Sequence, residues 1–410
     1  MKLRFILATA LLALGLSAMA DEQSPYSMMG YGVLNDHVSA AQRSMGGVGY
    51  AMRSSGKINV KNPASYAAID SMTFLFDIGA NVGAVHNSEA GLRDKRTLGG
   101  LDYVTMQVPI GKWMGASLGL LPYSSVGYRF GTEIVNGESA YQGSGGISEV
   151  YLGWAARPVK GLSVGFNAGY LWGNIINDVY VNADNGASSL YERILQVRDY
   201  NIQFGLQYGA TFAREHTLTV GATYTLGRDV HGHGYGVKSE ISTSTQKADT
   251  VGYTSLKHGY SIPWSVGAGI AYQYGRRLLV GADFTYQPWS NARFAGIEGF
   301  SDPLKFANRY KGCLGAEFTP ATRGNYFRRM SYRLGAYYSQ DYMMIGDNNV
   351  REFGITCGFG LPTPMRTQVN LGFEYRHRMT SPAATVTENY FMVTLGIALN
   401  EVWFVPSLIR

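Results

Sequence analysis

The chain has few charged residues, only two cysteines and no long apolar run after its N-terminus. Charged residues make up 16% of the 410 positions, below the usual quarter. Two cysteines, Cys313 and Cys357, cannot build a disulfide framework. We expect both to be free, because they fall on strands that are not adjacent. The missing apolar run excludes a helical membrane protein, and a net charge of +6 without a basic cluster gives no case for nucleic acid.

Signatures of catalysis and of metal binding are missing as well. The sequence has no G-x-S-x-G, P-loop or H-E-x-x-H motif. His231 and His233 form an H-x-H pair, but no carboxylate or thiol stands at ligand spacing, so we expect a solvated loop. Asp341 and Asp347 are best explained as part of a polar hairpin tip. We therefore predict that the protein is not an enzyme, has no catalytic residue and binds no cofactor or metal.

Glycine and tyrosine are abundant, and the N-terminus has the features of a secretory signal. The 52 glycines and 29 tyrosines suit lipid-facing strands with aromatic girdles. Lys2 and Arg4 precede an apolar stretch at 6–16, and Ala18-Met19-Ala20 is a small-x-small cleavage site. We predict a signal peptide over 1–20 and a mature chain that begins at Asp21.

Polar and apolar residues alternate along most of the chain after residue 70. In the last such segment, Phe391, Val393 and Leu395 share one face and Met392 and Thr394 share the other, as in a strand between lipid and a polar lumen. We predict about fourteen strands. They are 72–86, 99–110, 113–123, 146–157, 161–177, 193–213, 216–229, 258–274, 277–290, 307–319, 330–343, 350–361, 366–378 and 388–400.

This pattern predicts an all-β fold, a transmembrane antiparallel β-barrel over residues 70–410. Only a closed barrel lets so many strands meet lipid without an unpaired edge; a soluble all-β protein is the alternative. Short connections alternate with long ones at 87–98, 124–145, 178–192, 230–257 and 291–306, as periplasmic turns do with extracellular loops. We expect a bacterial outer-membrane protein with both termini in the periplasm.

Two further features concern the inside of the barrel. Five charged residues fall on inward faces: Asp283, Glu317, Arg333, Glu374 and Arg376. They form either a structural network across the lumen or a lining that selects the solute, and the sequence leaves both open. Residues 21–69 do not alternate and are rich in small residues, among them Gly46 and Gly47, which allow close packing. We predict that 21–69 is a plug, or hatch, inside the lumen, with a disordered periplasmic tail as the alternative.

Two segments resemble a known family. The glycine-rich stretch followed by Asn62-Pro63-Ala64, and residues 121–128, are similar to segments of the FadL/TodX family of outer-membrane transporters for hydrophobic compounds. The resemblance implies a monomeric barrel, plugged by the hatch, that carries fatty acids or aromatic hydrocarbons and releases them sideways near a kinked third strand. It also implies roles for particular residues, with the hatch ending at Asn62, Pro63 and Ala64 and the third-strand irregularity lying at Gly119, Pro122, Tyr123 and Ser124.

The sequence supports more than one function. The first hypothesis is a passive outer-membrane channel for hydrophobic small molecules. The alternative is a PorV-like adaptor or shuttle in protein secretion, since the connection at 230–257 is polar. A water-filled general porin comes third. The expected partners are an apolar solute, outer-membrane lipid and lipopolysaccharide, and the barrel assembly machinery during biogenesis. Trp403 and Phe404, after the last strand, are expected at the membrane interface.

Overall fold

A computed structural model describes residues 24–89, 91–134, 137–184, 188–241, 248–363, 366–383 and 385–402. The predicted signal peptide, the polar run 242–247, Trp403 and Phe404 lie outside these ranges. The strands in chain order are β1 (Val33–Leu34), β2 (Thr73–Glu89), β3 (Leu92–Gly111), β4 (Met114–Ile134), β5 (Gly137–Val159), β6 (Leu162–Ala183), β7 (Ser188–Phe212), β8 (His216–Thr225), β9 (Arg228–Asp229), β10 (Gly232–Ile241), β11 (Ala248–Lys257), β12 (Ser261–Ile262), β13 (Ser265–Tyr274), β14 (Leu278–Gln287), β15 (Arg309–Phe318), β16 (Ser331–Ile345), β17 (Asn348–Pro362), β18 (Gln368–Ser381) and β19 (Thr387–Val402).

Within the part of the chain that the structure describes, helical structure is confined to segments of three to six residues. The described α-helices are Ala40–Arg43 and Tyr326–Arg329, and 3-10 turns span Pro25–Met28, Pro63–Ala68 and Trp289–Asn291. Among the described residues no helix has the length and apolar character needed to cross a membrane.

Fourteen antiparallel strands, β2–β8 and β13–β19, close into a barrel. Each pairs with the next, β8 pairs directly with β13, and β19 closes the barrel on β2 from Thr387↔Ser88 to Val402↔Thr73. This confirms the predicted antiparallel barrel of about fourteen strands. We call the end that holds Thr73 and Val402 the near end and the opposite end the far end.

Several predicted loops are wrong, because the strands run further toward the far end than the sequence indicated. The predicted loops 87–98, 124–145 and 178–192 are mostly strand, and β4 pairs with β5 as far as Ile134↔Gly137. The predicted loop 230–257 contains the hairpin β10–β11, and β10 pairs with β7 from Gly232↔Val197 to Ile241↔Ser188. A strand of 17 to 25 residues exceeds the 9–11 or so needed to cross a bilayer. Its far part therefore lacks the lipid-facing apolar pattern.

The two faces of the wall agree with the alternation. Ser163, Gly165 and Asn167 on β6 are buried toward the lumen, whereas Phe166 and Tyr170 are exposed on the outside. Both cysteines are free, as predicted, with Cys313 buried and Cys357 exposed on the non-adjacent strands β15 and β17. An apolar outer band and a filled interior follow from this division of side chains.

Aromatic side chains pack together toward the far end. Trp289, in the connection between β14 and β15, stacks on Tyr342 with ring centroids 4.3 Å apart. Phe306 lies 5.8 Å from the Trp289 ring, and Tyr31 packs edge-on against Phe294 at 5.3 Å. This far-end aromatic cluster joins residues 26–33 to the connections that cover the barrel.

Candidate functional site

Residues 24–72, which we call the lumen segment, touch the wall where the wall has glycines. A Cβ added at Gly221 would lie 1.9 Å from the carbonyl oxygen of Tyr50, and one at Gly335 would lie 2.2 Å from the nitrogen of Gly46. Real Cβ atoms do not come this close, so a larger residue at either wall position would displace the backbone of the segment. The close approach therefore depends on glycine in β8 and β16.

Gly46 and Gly47 provide a matched pair for testing this packing. Both have positive φ, +69° and +86°, so alanine costs each about 1–2 kcal/mol of backbone strain. A Cβ on Gly46 would also lie 2.7 Å from the Ala336 oxygen, whereas the nearest atom to one on Gly47 is the Cys313 sulfur at 3.9 Å.

We therefore expect Gly46→Ala to destabilise the docked lumen segment by about 1–3 kcal/mol more than Gly47→Ala, the cost of overpacking. Hydrogen exchange of the segment in the folded, detergent-solubilised protein measures the difference. Equal exchange in the two variants would contradict the close approach at Gly46.

The Asn62-Pro63-Ala64 tripeptide ties the lumen segment to the wall. Asn62 is fully buried and caps the 3-10 turn Pro63–Ala68, because its Oδ1 accepts from the Ala64 N–H at 3.1 Å. Its Nδ2 donates to the carbonyl oxygens of Tyr50 at 2.7 Å and of Leu206 at 3.1 Å. The Asn62 side chain thus forms hydrogen bonds with backbone groups of the 3-10 turn, of the lumen segment and of strand β7.

One buried and one partly buried group of ion pairs joins the lumen segment to the inward faces of β14, β15 and β16. Lys61 Nζ lies 3.0 Å from Asp283 Oδ2. Lys57 Nζ lies 2.6 Å from Glu317, which also pairs with Arg333 at 2.6 Å. Because Lys61 and Asp283 are removed from bulk water, this pair must remain intact for the segment to stay docked, whereas the Lys57–Glu317 pair retains some contact with water.

Asp36 makes a further anchor from the lumen segment. Its carboxylate lies 2.5 Å from Lys311 Nζ and 3.3 Å from Arg309 Nη2. Burial alone would raise the pKa of Asp36, but Lys311, Arg309 and Lys61 outweigh burial and hold that pKa well below its usual range. The pKa of Lys61 is raised despite burial, chiefly by Asp283. Both groups therefore stay charged at neutral pH.

Glu374 and Arg376 belong to a separate cluster toward the far end. Glu374 accepts from the Tyr337 hydroxyl at 2.6 Å, and Arg376 stacks over the Tyr390 ring at 4.1 Å. Arg378 pairs with Glu352 at 2.8 Å and with Glu388 at 3.4 Å. The five charges found by alternation therefore occupy three places: Asp283 alone with Lys61, Glu317 with Arg333, and Glu374 with Arg376. The sequence did not indicate their partners Lys57, Lys61 and Glu352, nor Arg378, which pairs with Glu352.

The wall of the barrel opens between β3 and β4. The two strands pair from Gly111↔Met114 up to Val104↔Leu120. Beyond that point β3 continues along β2 to Leu92, and β4 continues along β5. We call this boundary, from Val104 and Leu120 to the far end, the seam. The side chain of Arg96 crosses it to the carbonyl oxygen of Arg129 at 2.5 Å.

The lumen segment, instead of β3, covers the edge of β4 at the seam. β1 pairs with β4 through Val33↔Ser125 and Leu34↔Ser124. The N–H of Asn35 donates to the Tyr123 oxygen at 3.0 Å, and that of Ser24 to the Gly127 oxygen at 2.9 Å. An open strand edge that a short segment covers is a weak point of the wall.

The predicted third-strand residues lie at the start of the seam. Pro122 pairs with Ser148, and the register of β4 with β5 shifts between Pro122 and Ser124. Proline has no N–H to donate to a neighbouring strand. Gly119 lies just below the seam, still paired with Thr105, so it belongs to the closed part of the wall.

Two small cavities lie within the described lumen, and polar atoms contribute more to their linings than apolar atoms. One of about 110 Å³ lies inside the seam, where Leu34, Asn35, Tyr123, Glu149 and Tyr151 contribute to its lining. Another of about 60 Å³ lies beside the charged residues Asp36, Arg43 and Arg376. In the described ranges no three His, Cys, Asp or Glu side chains form a group that could hold a metal ion.

Solved structures of outer-membrane channels share this architecture. The CymD monoaromatic hydrocarbon channel is 14% identical over 88% of this chain and 97% of its own, with a TM-score of 0.62. A Pseudomonas aeruginosa FadL homologue is 11% identical over 91% and 100%, with a TM-score of 0.65. The Ralstonia pickettii toluene transporter TbuX is 15% identical over 90% and 99%, with a TM-score of 0.62. At such identities the likeness shows the fold, that of a FadL-type outer-membrane β-barrel.

The family is shown by a different comparison. The family model BamG matches residues 1–409, so the chain belongs to the BamG family. No curated protein matches the chain. The PorV-like membership predicted from the sequence receives no support from these comparisons.

Proposed function

We propose that the protein is a passive outer-membrane conduit for hydrophobic small molecules, such as aromatic hydrocarbons or long-chain fatty acids, with the seam as their sideways exit. The observation that carries the proposal is the edge of β4 beyond Leu120, which pairs with residues of the lumen segment where a barrel wall would have β3. An apolar solute that passes sideways into lipid avoids a second aqueous layer. Pro122, Tyr123 and Ser124 mark where the opening begins.

The lumen segment is the gate in this proposal. It corresponds to the hatch predicted over 21–69, with Gly46, Gly47, Asn62, Pro63 and Ala64 at its contacts with the wall. Since the lumen cavities are small and polar, an apolar solute is not stored there and instead follows the seam, past Leu34 and Leu121. The conduit works as a monomer in outer-membrane lipid and lipopolysaccharide, with both chain ends in the periplasm.

Asn35 offers a direct test of the gate. Asn35→Pro removes the N–H bond to Tyr123 and the side-chain bond to Ser125, whereas Asn35→Ala removes only the latter. Losing the backbone bond costs the cover of β4 about 1 kcal/mol, so we expect uptake of a labelled apolar compound to rise about fivefold in the proline variant relative to the alanine variant.

The measurement is uptake by intact cells whose outer membrane contains the full chain, with otherwise identical cells that lack the chain as the background, because the lipopolysaccharide leaflet slows unaided entry of apolar compounds. Unchanged uptake in Asn35→Pro would show that the cover of β4 does not gate passage. Equal uptake of every apolar compound by cells with and without the chain would end the transport proposal itself.

Membership of the BamG family favours a second candidate, an accessory role in the assembly of other outer-membrane barrels. Ion pairs and hydrogen bonds fill the lumen. A filled lumen suits a protein that acts through contacts of its outer surface and not by passing a solute through its lumen. Depletion of the chain would then lower the amount of other folded outer-membrane barrels while uptake of apolar compounds stays constant. Unchanged barrel amounts would exclude this role.

A further inference from the structure

The turns at the near end carry charge of almost one sign. The six connections at this end, after β3, β5, β7, β13, β15 and β17, contain nine lysines and arginines and a single acidic residue, Glu215. Such an imbalance creates a positive field at the rim, which attracts anions. The function proposed above does not use this field.

Five of these cations lie on two neighbouring turns. Arg276 and Arg277 lie between β13 and β14, and three more follow β15; together they are Arg276, Arg277, Arg323, Arg328 and Arg329, the arginine patch. The N–H of Thr319 donates to the Arg277 oxygen at 2.7 Å and joins the two turns. All five side chains are exposed or half-buried, and within the described ranges none of them forms an ion pair.

The longer of the two turns is fixed in shape. Asn325 Oδ1 accepts from the Arg328 N–H at 3.0 Å, which caps the helix Tyr326–Arg329. The Arg328 oxygen accepts from Ala321 at 2.8 Å, and the Tyr332 hydroxyl donates to the Phe327 oxygen at 3.0 Å. The arginines therefore start from an ordered backbone, so binding an anion does not have to order the turn.

Aromatic side chains place the arginine patch at the level of lipid headgroups. Tyr274 and Phe318, at the near ends of β13 and β15, are exposed on the outside of the wall. On the turn itself Tyr326 is exposed, and Phe327 is 68% exposed. Aromatic belts of this kind mark the boundary between the hydrocarbon and the headgroups. The guanidinium groups follow these aromatic residues directly in the chain.

We propose that the arginine patch binds the phosphate groups of anionic phospholipid, with the two phosphates of cardiolipin as its best-fitting ligand. Guanidinium groups donate two parallel hydrogen bonds to a phosphate, and five of them can engage two phosphates at once. An acidic protein surface would also match the charge, but the exposed aromatic residues beside the patch favour lipid. With the near end facing the periplasm, as proposed above, the bound lipid belongs to the periplasmic leaflet of the outer membrane. Binding of phosphate by the arginine patch does not depend on this orientation, and it does not depend on the transport proposal.

The test is a cardiolipin titration of the purified full chain in detergent, followed by native mass spectrometry. The test variant carries Arg276→Gln, Arg277→Gln and Arg328→Gln. The matched control carries Arg93→Gln, Lys95→Gln and Arg129→Gln, which removes three exposed cations at the far end. We expect cardiolipin affinity to fall about tenfold or more in the test variant and by less than about twofold in the control, given roughly a fivefold gain for each cation near a charged surface.

Two further measurements make the result decisive. Replacing the same three arginines by lysine keeps the charge and is expected to restore part of the affinity, and gel mobility before and after heating shows that each variant is folded. Equal cardiolipin affinity in the test and control variants would overturn the proposal. An acidic protein surface would then be the remaining candidate ligand of the arginine patch. If the test variant lost affinity for the uncharged detergent as much as for cardiolipin, the loss would not be specific for phosphate, and this would also contradict the proposal.

Discussion

Asp283→Ala is expected to release the lumen segment from the wall, at a cost of about 3–5 kcal/mol, because it leaves a buried lysine without a counter-ion. The Asp283 carboxylate accepts from the N–H groups of Gly49 at 2.7 Å and Tyr50 at 3.0 Å, as well as from Lys61. Lys61 is itself buried and lies 4.3 Å from the centre of the Tyr50 ring. The substitution thus removes three hydrogen bonds and leaves their donors inside the barrel.

Hydrogen exchange over residues 47–62 measures the expected release in the full chain in detergent. The control is the double variant Lys61→Met/Asp283→Leu, which removes the pair and leaves no lone charge. We expect it to exchange more slowly than Asp283→Ala, since replacing a buried pair by apolar residues is often nearly neutral. The same protection in Asp283→Ala as in the unchanged chain would show that this ion pair does not anchor the segment.

Trp289→Ala is expected to loosen the cover of the far end by about 3–5 kcal/mol, because it leaves a large cavity in the aromatic cluster. Trp289 is 0% exposed and contacts the rings of Tyr31, Phe306 and Tyr342. Through Tyr31 the loss reaches the lumen segment, so residues 26–33 should lose protection together with the connection 288–308.

Trp264→Ala is the matched control for this prediction. Trp264 is 38% exposed, lies outside the aromatic cluster, and has the rings of Tyr224 and Tyr286 at 6.4 Å and 5.8 Å. We expect it to cost about 1 kcal/mol. Unfolding by urea, followed by protease accessibility of 288–308, compares the two variants. A larger effect of Trp264→Ala would mean that the far-end cover does not depend on its buried aromatic residues.

The period-two pattern predicted the barrel because each wall strand contacts lipid on one side and the lumen on the other. It worked where the membrane imposes this difference, as in β6, where the predicted 161–177 begins within one residue of the observed Leu162–Ala183. It failed in the far part of β4, which extends past the length that crosses a bilayer, and in the hairpin β10–β11, which continues the sheet along the far part of β7 beyond β8. There polar and apolar residues no longer report on which face points inward.

Inside the barrel the sequence showed which wall residues point inward but not what they meet. Alternation placed Asp283 on the lumen face, yet its partner Lys61 is 222 residues away in the chain, and a non-alternating segment gives no pattern from which to infer that pairing. The inward glycines of the wall, Gly221 and Gly335, were a usable signal, since glycine within a strand often marks a close backbone approach.

The seam could be predicted only by resemblance. Proline at 122 indicated an irregular strand, but the separation of β3 from β4 beyond Leu120 depends on which strand edge residues 33–35 cover. That choice is made by tertiary contacts far from Pro122 in the chain, such as the stacking of Trp289 and Tyr342 above the segment. A single strand's composition does not contain this information.

Photo-crosslinking at the seam tests the central claim most directly. A photoreactive amino acid at position 123, beside the cavity inside the seam, is compared with one at position 170, which is exposed on the lipid-facing side of β6. If apolar solutes pass along the seam, a labelled fatty acid should become crosslinked to the photoreactive residue at position 123. An excess of an unlabelled apolar compound should abolish this crosslink but leave the background crosslinking at position 170 unchanged. Labelling of the two positions that is equal and unaffected by competitor would contradict passage through the seam.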